Sequence, residues 1–486
     1  MAASVTASAG PAAVTLRKTS QQLAHSDAAW GTAAADQLQQ PNIVVVLTDD
    51  QTPESVAKMP YVSSRTNWID VPATHCENCE CCPVRAQVLQ GRYDTHTQVQ
   101  NNNQGPPVRR GRDAAGVAAA RRLPDRPVRQ VPQHLPVRQA ALRPAGLGHL
   151  AGRVRRSVYN QYNWQLADGP TPVAYGSQPA DYEVDVLTDK VSDFVSSHDP
   201  RPFFALFTPT STHAPWVPSP ARKGTYSLAT VPHTADFLEP DRSDKPAWVR
   251  ALPPLDAASM NQKRIASWDG AISVDDAVRQ VDEALSAAGR LDNTIVVFLS
   301  DNGYAFGSHG WEAKRCEYNA CSAIPLKVRM PGQPARSISQ AVSTVDIAST
   351  LSDLARATPA LAQDGRSLAP LLLDPAAPQD AARRLLLHWP GGDSAGRAGR
   401  PDSLPGLWGL RGPRYKYIEL DTGERELYDE VRDRYELRNR AGDPALAGVQ
   451  KGLTAELARA KVKAGAGAGL RTDLPNGQPM PALDLD

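Results

Sequence analysis

The chain has 486 residues, 41% of them hydrophobic and 22% charged, with 53 Lys and Arg against 52 Asp and Glu for a net charge of +1. Such a composition excludes a disordered chain, and the lack of any run of about 18 apolar residues excludes a membrane-spanning helix. The neutral total hides a contrast. Residues 105–156 hold 12 arginines, no lysine and two aspartates, so this window is +10 and the rest of the chain is −9.

Residues 1–40 are rich in Ala and Ser and read as a loose tail. They lack the basic start and apolar core of an export signal. The first buried strand is Ile43 to Leu47, running into Thr48, Asp49 and Asp50. Four cysteines follow within seven positions, Cys76, Cys79, Cys81 and Cys82, with Cys316 and Cys321 much later. Six are too few for a disulfide scaffold. Cys76 and Cys79 have the spacing of half a zinc site, which Cys316 and Cys321 could complete.

Phe203 to Phe207 and Ile295 to Leu299 are two more apolar runs, the first leading to His213 and the second to Asp301 and Asn302. Continuous β-branched and aromatic runs suit a parallel sheet covered on both faces. Val274, Val278, Val281 and Leu285 share one face of a helix before the last run. Ser273 is its expected N-cap and Gly289 its stop. Asp374 to Arg400 is rich in Pro, Ala, Gly and Arg and contains a linker or long loop. Short strands at Leu407–Leu410, Tyr415–Leu420 and Glu426–Tyr428, separated by tight turns, predict a small antiparallel sheet. A last helix is expected over Asp443 to Val462, with a frayed tail after Lys463.

Open α/β sheets bind ligands beyond the carboxyl ends of their strands. Those ends offer Asp49, Asp50, Asp301 and Asn302, four oxygen donors without sulfur or imidazole. That set favours a hard cation, Ca²⁺ or Mg²⁺, over zinc.

The segment Cys81-Cys82-Pro83-Val84-Arg85, continuing to Gly91-Arg92-Tyr93, resembles the signature of the sulfatase family. In that signature a Cys two residues before Pro and four before Arg is oxidised to formylglycine. Pro41 to Gln51, Phe204 to Pro215, Leu299 to Tyr304 with Gly307 to Gly310, Asp364 to Leu368 and Glu426 to Asp429 resemble further landmarks of the family, in order. The resemblance covers about residues 41–104 and 157–460, closest to the arylsulfatase and glucosamine-6-sulfatase branches.

The resemblance implies a large mixed, mostly parallel sheet flanked by helices, of the alkaline-phosphatase-like α/β class. It spans 41–373, and a smaller antiparallel subdomain covers 374–462 between the tails 1–40 and 463–486. It implies hydrolysis of sulfate esters by a formylglycine made from Cys81. A thiol would form a product that is hard to release. Of an aldehyde hydrate's two hydroxyls, one attacks sulfur and the other expels sulfate. Arg85 would hold the nucleophile, and His213 and Lys314 would contact the sulfate. Asp49, Asp50, Asp301 and Asn302 would bind Ca²⁺, with Mg²⁺ second. The implied partners are a sulfated small molecule or carbohydrate and a formylglycine-generating enzyme. Relatives of this kind are secreted or extracytoplasmic.

The family pattern breaks at 105–156. A strand ending in Gly-Lys belongs there, and this window has no lysine and no aromatic residue. Its seven prolines and 12 arginines suit out-of-frame translation of a GC-rich coding sequence. Without aromatics for stacking it is not expected to bind nucleic acid. The other readings are a catalytically impaired homologue, a related phosphate or phosphonate monoesterase, and a zinc-binding module built on the cysteines.

Overall fold

The computed structural model describes residues 40–64, 68–102, 152–153, 159–168, 171–197, 201–393 and 403–466. The tail before residue 40, nearly all of the 105–156 window and the tail from 467 onward lie outside the described residues.

The three apolar runs form adjacent strands. Asn42–Thr48 lies between Phe204–Phe207 and Thr294–Ser300 and is parallel to both. Leu326–Arg329 then pairs antiparallel with Thr294–Ser300, and two short strands, Ile69–Asp70 and Arg336–Ser337, complete a six-stranded mixed sheet. Strand alternation sends Ile43, Val45 and Leu47 to one face, where they meet Val84 and Val88 of the helix Cys81–Gln90 and Ile347 and Leu351 of the helix Asp346–Leu354. Val44 and Val46 face the other way. There they meet Leu187 and Val191 of the helix Glu183–Val195 and Val274, Val278 and Val281 of the long helix Ala257–Ala287. Both faces are therefore buried, as continuous apolar runs require.

The long helix begins well before the expected cap. Asp256 is the N-cap, its side chain accepting from the Ser259 amide, and Ser273 sits mid-helix with its hydroxyl bonded to the Asp269 carbonyl. The first half buries Arg264, Ser267 and Asp269 as well as Trp268, so it carries no apolar stripe in sequence. Gly289 does provide the stop, with φ of 66°.

The C-terminal sheet is antiparallel, in the order Leu385–Trp389, Leu407–Arg411, Tyr415–Leu420, Arg425–Asp429. One face carries the helix Ala447–Lys463 through Leu453 and Leu457, and the other packs Leu387, Ile418 and Tyr428 against Trp248, Trp311 and Tyr318. The strand Leu385–Trp389 lies within the stretch Asp374 to Arg400, in which the sequence reading places a linker or long loop and no strand. Five residues, bonded into the sheet on one side, are enough for an edge strand, and the Pro- and Gly-rich flanks concealed them. Residues 394–402 of that stretch lie outside the described residues.

The cysteines also depart from expectation. Cys76 is bonded to Cys79 and Cys316 to Cys321, leaving Cys81 and Cys82 as buried free thiols. Each disulfide closes a short local loop. The four sulfurs of the supposed zinc site are consumed pairwise, so a zinc module built on the cysteines is overturned.

Where the two parts of the chain meet, Glu317 and Glu426 are buried as neighbouring carboxyl groups. Burial and the neighbouring Glu426 carboxylate push the Glu317 carboxyl well above its usual range. The folded chain therefore keeps a proton that the unfolded chain releases above about pH 4.3. This contribution to stability is complete below that pH and is lost as pH rises towards the folded value. Urea unfolding from pH 4.5 to 8 should show the decline in the native protein and a flatter profile in Glu317→Gln, whose amide keeps a donor for Glu426. Parallel profiles would refute the assignment.

Candidate active site

The site lies beyond the carboxyl ends of the two central parallel strands. Asp49 and Asp50 end one, and Asp301 and Asn302 end the other. Because the strands pair in register from Asn42 with Thr294 to Thr48 with Ser300, the two acidic ends fall side by side. Asp50 adopts φ of 55°, a turn that folds its side chain back across the strand ends. Its amide donates to Asp301 Oδ1 at 3.3 Å, and Asn302 Nδ2 donates to Asp50 Oδ1 at 2.5 Å.

Cys81 opens a helix that Gly91 ends with a left-handed residue, φ 67°. Residues four apart share a helix face, so Arg85 lies under Cys81. Its guanidinium bridges both strand ends, with Nε 3.0 Å from Asp301 Oδ2 and Nη2 3.2 Å from Asp49 Oδ2. The Cys81 thiol donates to Asp49 Oδ1 at 3.5 Å. Lys314 Nζ lies 2.6 Å from Cys81 Sγ and 2.7 Å from Asp50 Oδ1. His213 Nε2 is 3.3 Å from Asp50 Oδ2, and its Nδ1 donates to the Ala214 carbonyl at 2.6 Å, which fixes the ring. All eight predicted site residues thus converge on one buried cluster.

The cations and acids set one another's charge. Burial opposes ionisation of Asp49, but His213, Lys314 and Arg85 outweigh it and hold the carboxyl below its usual range. Burial and the Asp49 charge push Asp301 up to about 7, against the pull of Arg85 and Lys314. Burial and then Asp49 push the Cys81 thiol well above its ordinary value. An unmodified Cys81 is therefore a protonated thiol, which is a poor nucleophile.

The ligand atoms of Asp49, Asp50, Cys81 and Asp301 lie within 4.8 Å of one another. Asn302 Oδ1 is buried beside them with no hydrogen-bond partner among the described residues. An orphaned amide oxygen next to three carboxylates matches a hard divalent cation.

Two residues escaped the sequence reading. Thr212 Oγ1 donates to the Asp49 carbonyl at 2.6 Å, tying the His213 loop to the acidic strand end. Tyr159 stacks on His213 with ring centroids 3.8 Å apart. Their only sequence signal was place, one beside the histidine and the other at the seam where the family pattern resumes.

Gly270 of the long helix lets this loop approach. A Cβ there would lie 2.2 Å from the Ser211 carbonyl oxygen, which is backbone and cannot swing away. Gly270→Ala gains about 1 kcal/mol of helix propensity but should lose about 1–3 kcal/mol net by overpacking. The expected result is a lower urea midpoint, together with a fall in turnover as the His213 loop shifts. An unchanged midpoint would refute the close approach.

Comparison with known proteins gives the same picture. The family model described as Sulfatase matches residues 139–357, and the model of the N-sulphoglucosamine sulphohydrolase C-terminal region matches 307–463. The first match contains His213, Asp301, Asn302 and Lys314, and it opens inside the 105–156 window. An arylsulfatase of Chlamydomonas reinhardtii is 27% identical over 88% of this chain and 76% of its own length. Human N-acetylglucosamine-6-sulfatase is 26% identical over 71% of this chain and 66% of its own. The extracellular sulfatase SULF-1 homolog of Drosophila melanogaster is 26% identical over 68% of this chain, which spans 31% of that protein. A solved structure of a protein in complex with its substrate, D-glucosamine-2-N,6-O-disulfate, superposes with a TM-score of 0.73 at 20% identity. It covers 90% of this chain and all of its own. The fold is alkaline-phosphatase-like, and from residue 139 to 463 the chain is similar to sulfatases.

Proposed function

We propose that this protein hydrolyses sulfate esters at the cluster around Cys81. The observation that carries the reading is one convergence: a cysteine at a helix start, the side chains of Arg85, Lys314 and His213, an acidic pair on one strand end and an Asp-Asn pair on its neighbour. A sulfate ester brings a tetrahedral, negatively charged group to which such cations are complementary. Conversion of Cys81 to formylglycine would supply a hydrated aldehyde as nucleophile in place of the inert thiol. Asp49, Asp50, Asp301 and Asn302 would hold a divalent cation, which we take to be Ca²⁺, and that ion would acidify the nucleophile and neutralise sulfate oxygens.

The chain's own side chains account for the rest. Arg85, fixed by two carboxylates, holds the first turn of the helix and so the position of residue 81. Lys314 Nζ lies against the residue 81 side chain and meets charge that builds on the sulfate oxygens. His213, with Nδ1 committed to the Ala214 carbonyl, presents Nε2 to the leaving oxygen and can deliver its proton. The substrate class we assign is a sulfated carbohydrate or aryl sulfate, the class that the relatives' names describe. Modification requires a formylglycine-generating enzyme as partner. The two disulfides support action outside the cytoplasm.

Co-expression with a formylglycine-generating enzyme, followed by assays of aryl sulfate and aryl phosphate hydrolysis with Ca²⁺, tests the reading. Sulfate ester hydrolysis should dominate, and mass spectrometry of the Cys81 peptide should show the thiol replaced by an aldehyde. A modified peptide with faster phosphate hydrolysis would assign the site to a phosphate monoesterase. A modified peptide with neither activity would mark an impaired homologue.

A further inference from the structure

Apart from the Cys81 cluster, the described residues bring together a second set of metal-ligating side chains. Glu77, Asp94 and His388 are all buried, and their ligand atoms lie within 4.8 Å of one another. They come from three places in the chain. Glu77 sits inside the loop closed by the Cys76–Cys79 disulfide, four residues before Cys81. Asp94 follows the helix that carries Arg85, and His388 belongs to the edge strand Leu385–Trp389 of the C-terminal sheet. The His388 amide donates to the Glu77 carbonyl at 2.9 Å, and His388 Nδ1 lies 2.7 Å from Asp94 Oδ2.

Two observations go beyond an acidic cluster. Glu77 is 1% exposed, yet its Oε1 has no hydrogen-bond partner among the described residues. The same holds for Oδ1 of the fully buried Asn78, whose Nδ2 reaches Asp94 Oδ2 at 2.6 Å. Charge is the second. Among the described residues no lysine or arginine forms an ion pair with Glu77 or Asp94, and a buried carboxylate without compensation is costly. One divalent cation would make two carboxylates and a neutral imidazole electrically neutral.

We propose that Glu77, Asp94 and His388 form a second metal site, which takes a divalent transition-metal ion of the zinc type and clasps the segment bearing Cys81 to the C-terminal sheet. One nitrogen and two carboxylate donors suit zinc, whereas the all-oxygen set at the strand ends suits calcium. Binding requires a lone pair on His388 Nδ1 and both carboxylates ionised, so metal affinity should fall as pH falls. The site stands independently of the chemistry at Cys81.

The test loads the full chain with Zn²⁺ after dialysis against a chelator, desalts it and measures metal by mass spectrometry. The native protein and Asp301→Asn should retain about one zinc ion per chain, and Glu77→Gln and His388→Phe should retain none. Thermal midpoints should rise with Zn²⁺ in the first two only. No retained zinc in the native protein, or equal zinc in all four, would overturn the proposal. Should a variant fail to fold, anomalous scattering at the zinc edge from native crystals decides. A peak among Glu77, Asp94 and His388 upholds the site, and its absence there refutes it.

Discussion

Replacing Cys81 by Ala should abolish sulfate ester hydrolysis, with kcat falling by at least about 10⁴-fold, the scale on which removal of a covalent nucleophile acts. The loss should be chemical rather than structural. Cys81 is a small, fully buried side chain whose thiol makes one long contact to Asp49 and receives Lys314. Alanine preserves the helix start and costs only a buried sulfur atom, about 1 kcal/mol. The fold should survive, so near-native urea midpoints alongside lost turnover are the expected pair of measurements. Residual activity within tenfold of the native protein would show that Cys81 is not the nucleophile, whatever the modification state of its neighbour Cys82.

Much of this site was legible in the sequence because strand ends are legible. An apolar run such as Ile43 to Leu47 can only be a short buried strand or a short buried helix, and Asp49 and Asp50 directly after it mark its ligand-binding end. The same logic found Asp301 and Asn302. That the two ends adjoin depends on parallel pairing in register, which no local pattern encodes. Arg85 rests on the resemblance of the Cys81-to-Arg85 segment to the family signature, not on a local pattern. Tyr159 and Thr212 did not, since stacking on His213 and bonding to the Asp49 carbonyl are tertiary facts.

The misses share a cause. The long helix is not legible before Ser273 because its first half, which buries Arg264 and Asp269 through specific partners, carries no apolar stripe. The strand Leu385–Trp389 vanished into an average taken over Pro- and Gly-rich flanks. The cysteines were read by spacing alone, but whether Cys76 meets Cys79 or Cys316 depends on backbone path. His388 was invisible as a ligand for the same reason, since its companions stand about 300 residues earlier in the chain.

Arg85→Leu should be both inactive and unstable, and only the instability should yield to added cation. Arg85 is buried and paired with both Asp49 and Asp301. Leucine would leave those carboxylates facing each other with only Lys314 and His213 beside them. Breaking a buried pair in this way costs about 3–5 kcal/mol. A divalent cation held by the same carboxylates would favour the folded state over the unfolded chain, so by mass action it should restore about 3 kcal/mol at 100-fold excess over its Kd. The thermal midpoint of Arg85→Leu should therefore depend on Ca²⁺ more steeply than that of the native protein. Activity should stay at least about 100-fold down even at saturating Ca²⁺, because the lost donors, unlike the lost charge, are not replaced. Thermal melts and initial rates across a Ca²⁺ titration separate the two effects. If Ca²⁺ leaves the variant's midpoint unmoved, the acidic cluster is not the cation site; if it restores activity, Arg85 serves only as a counter-charge.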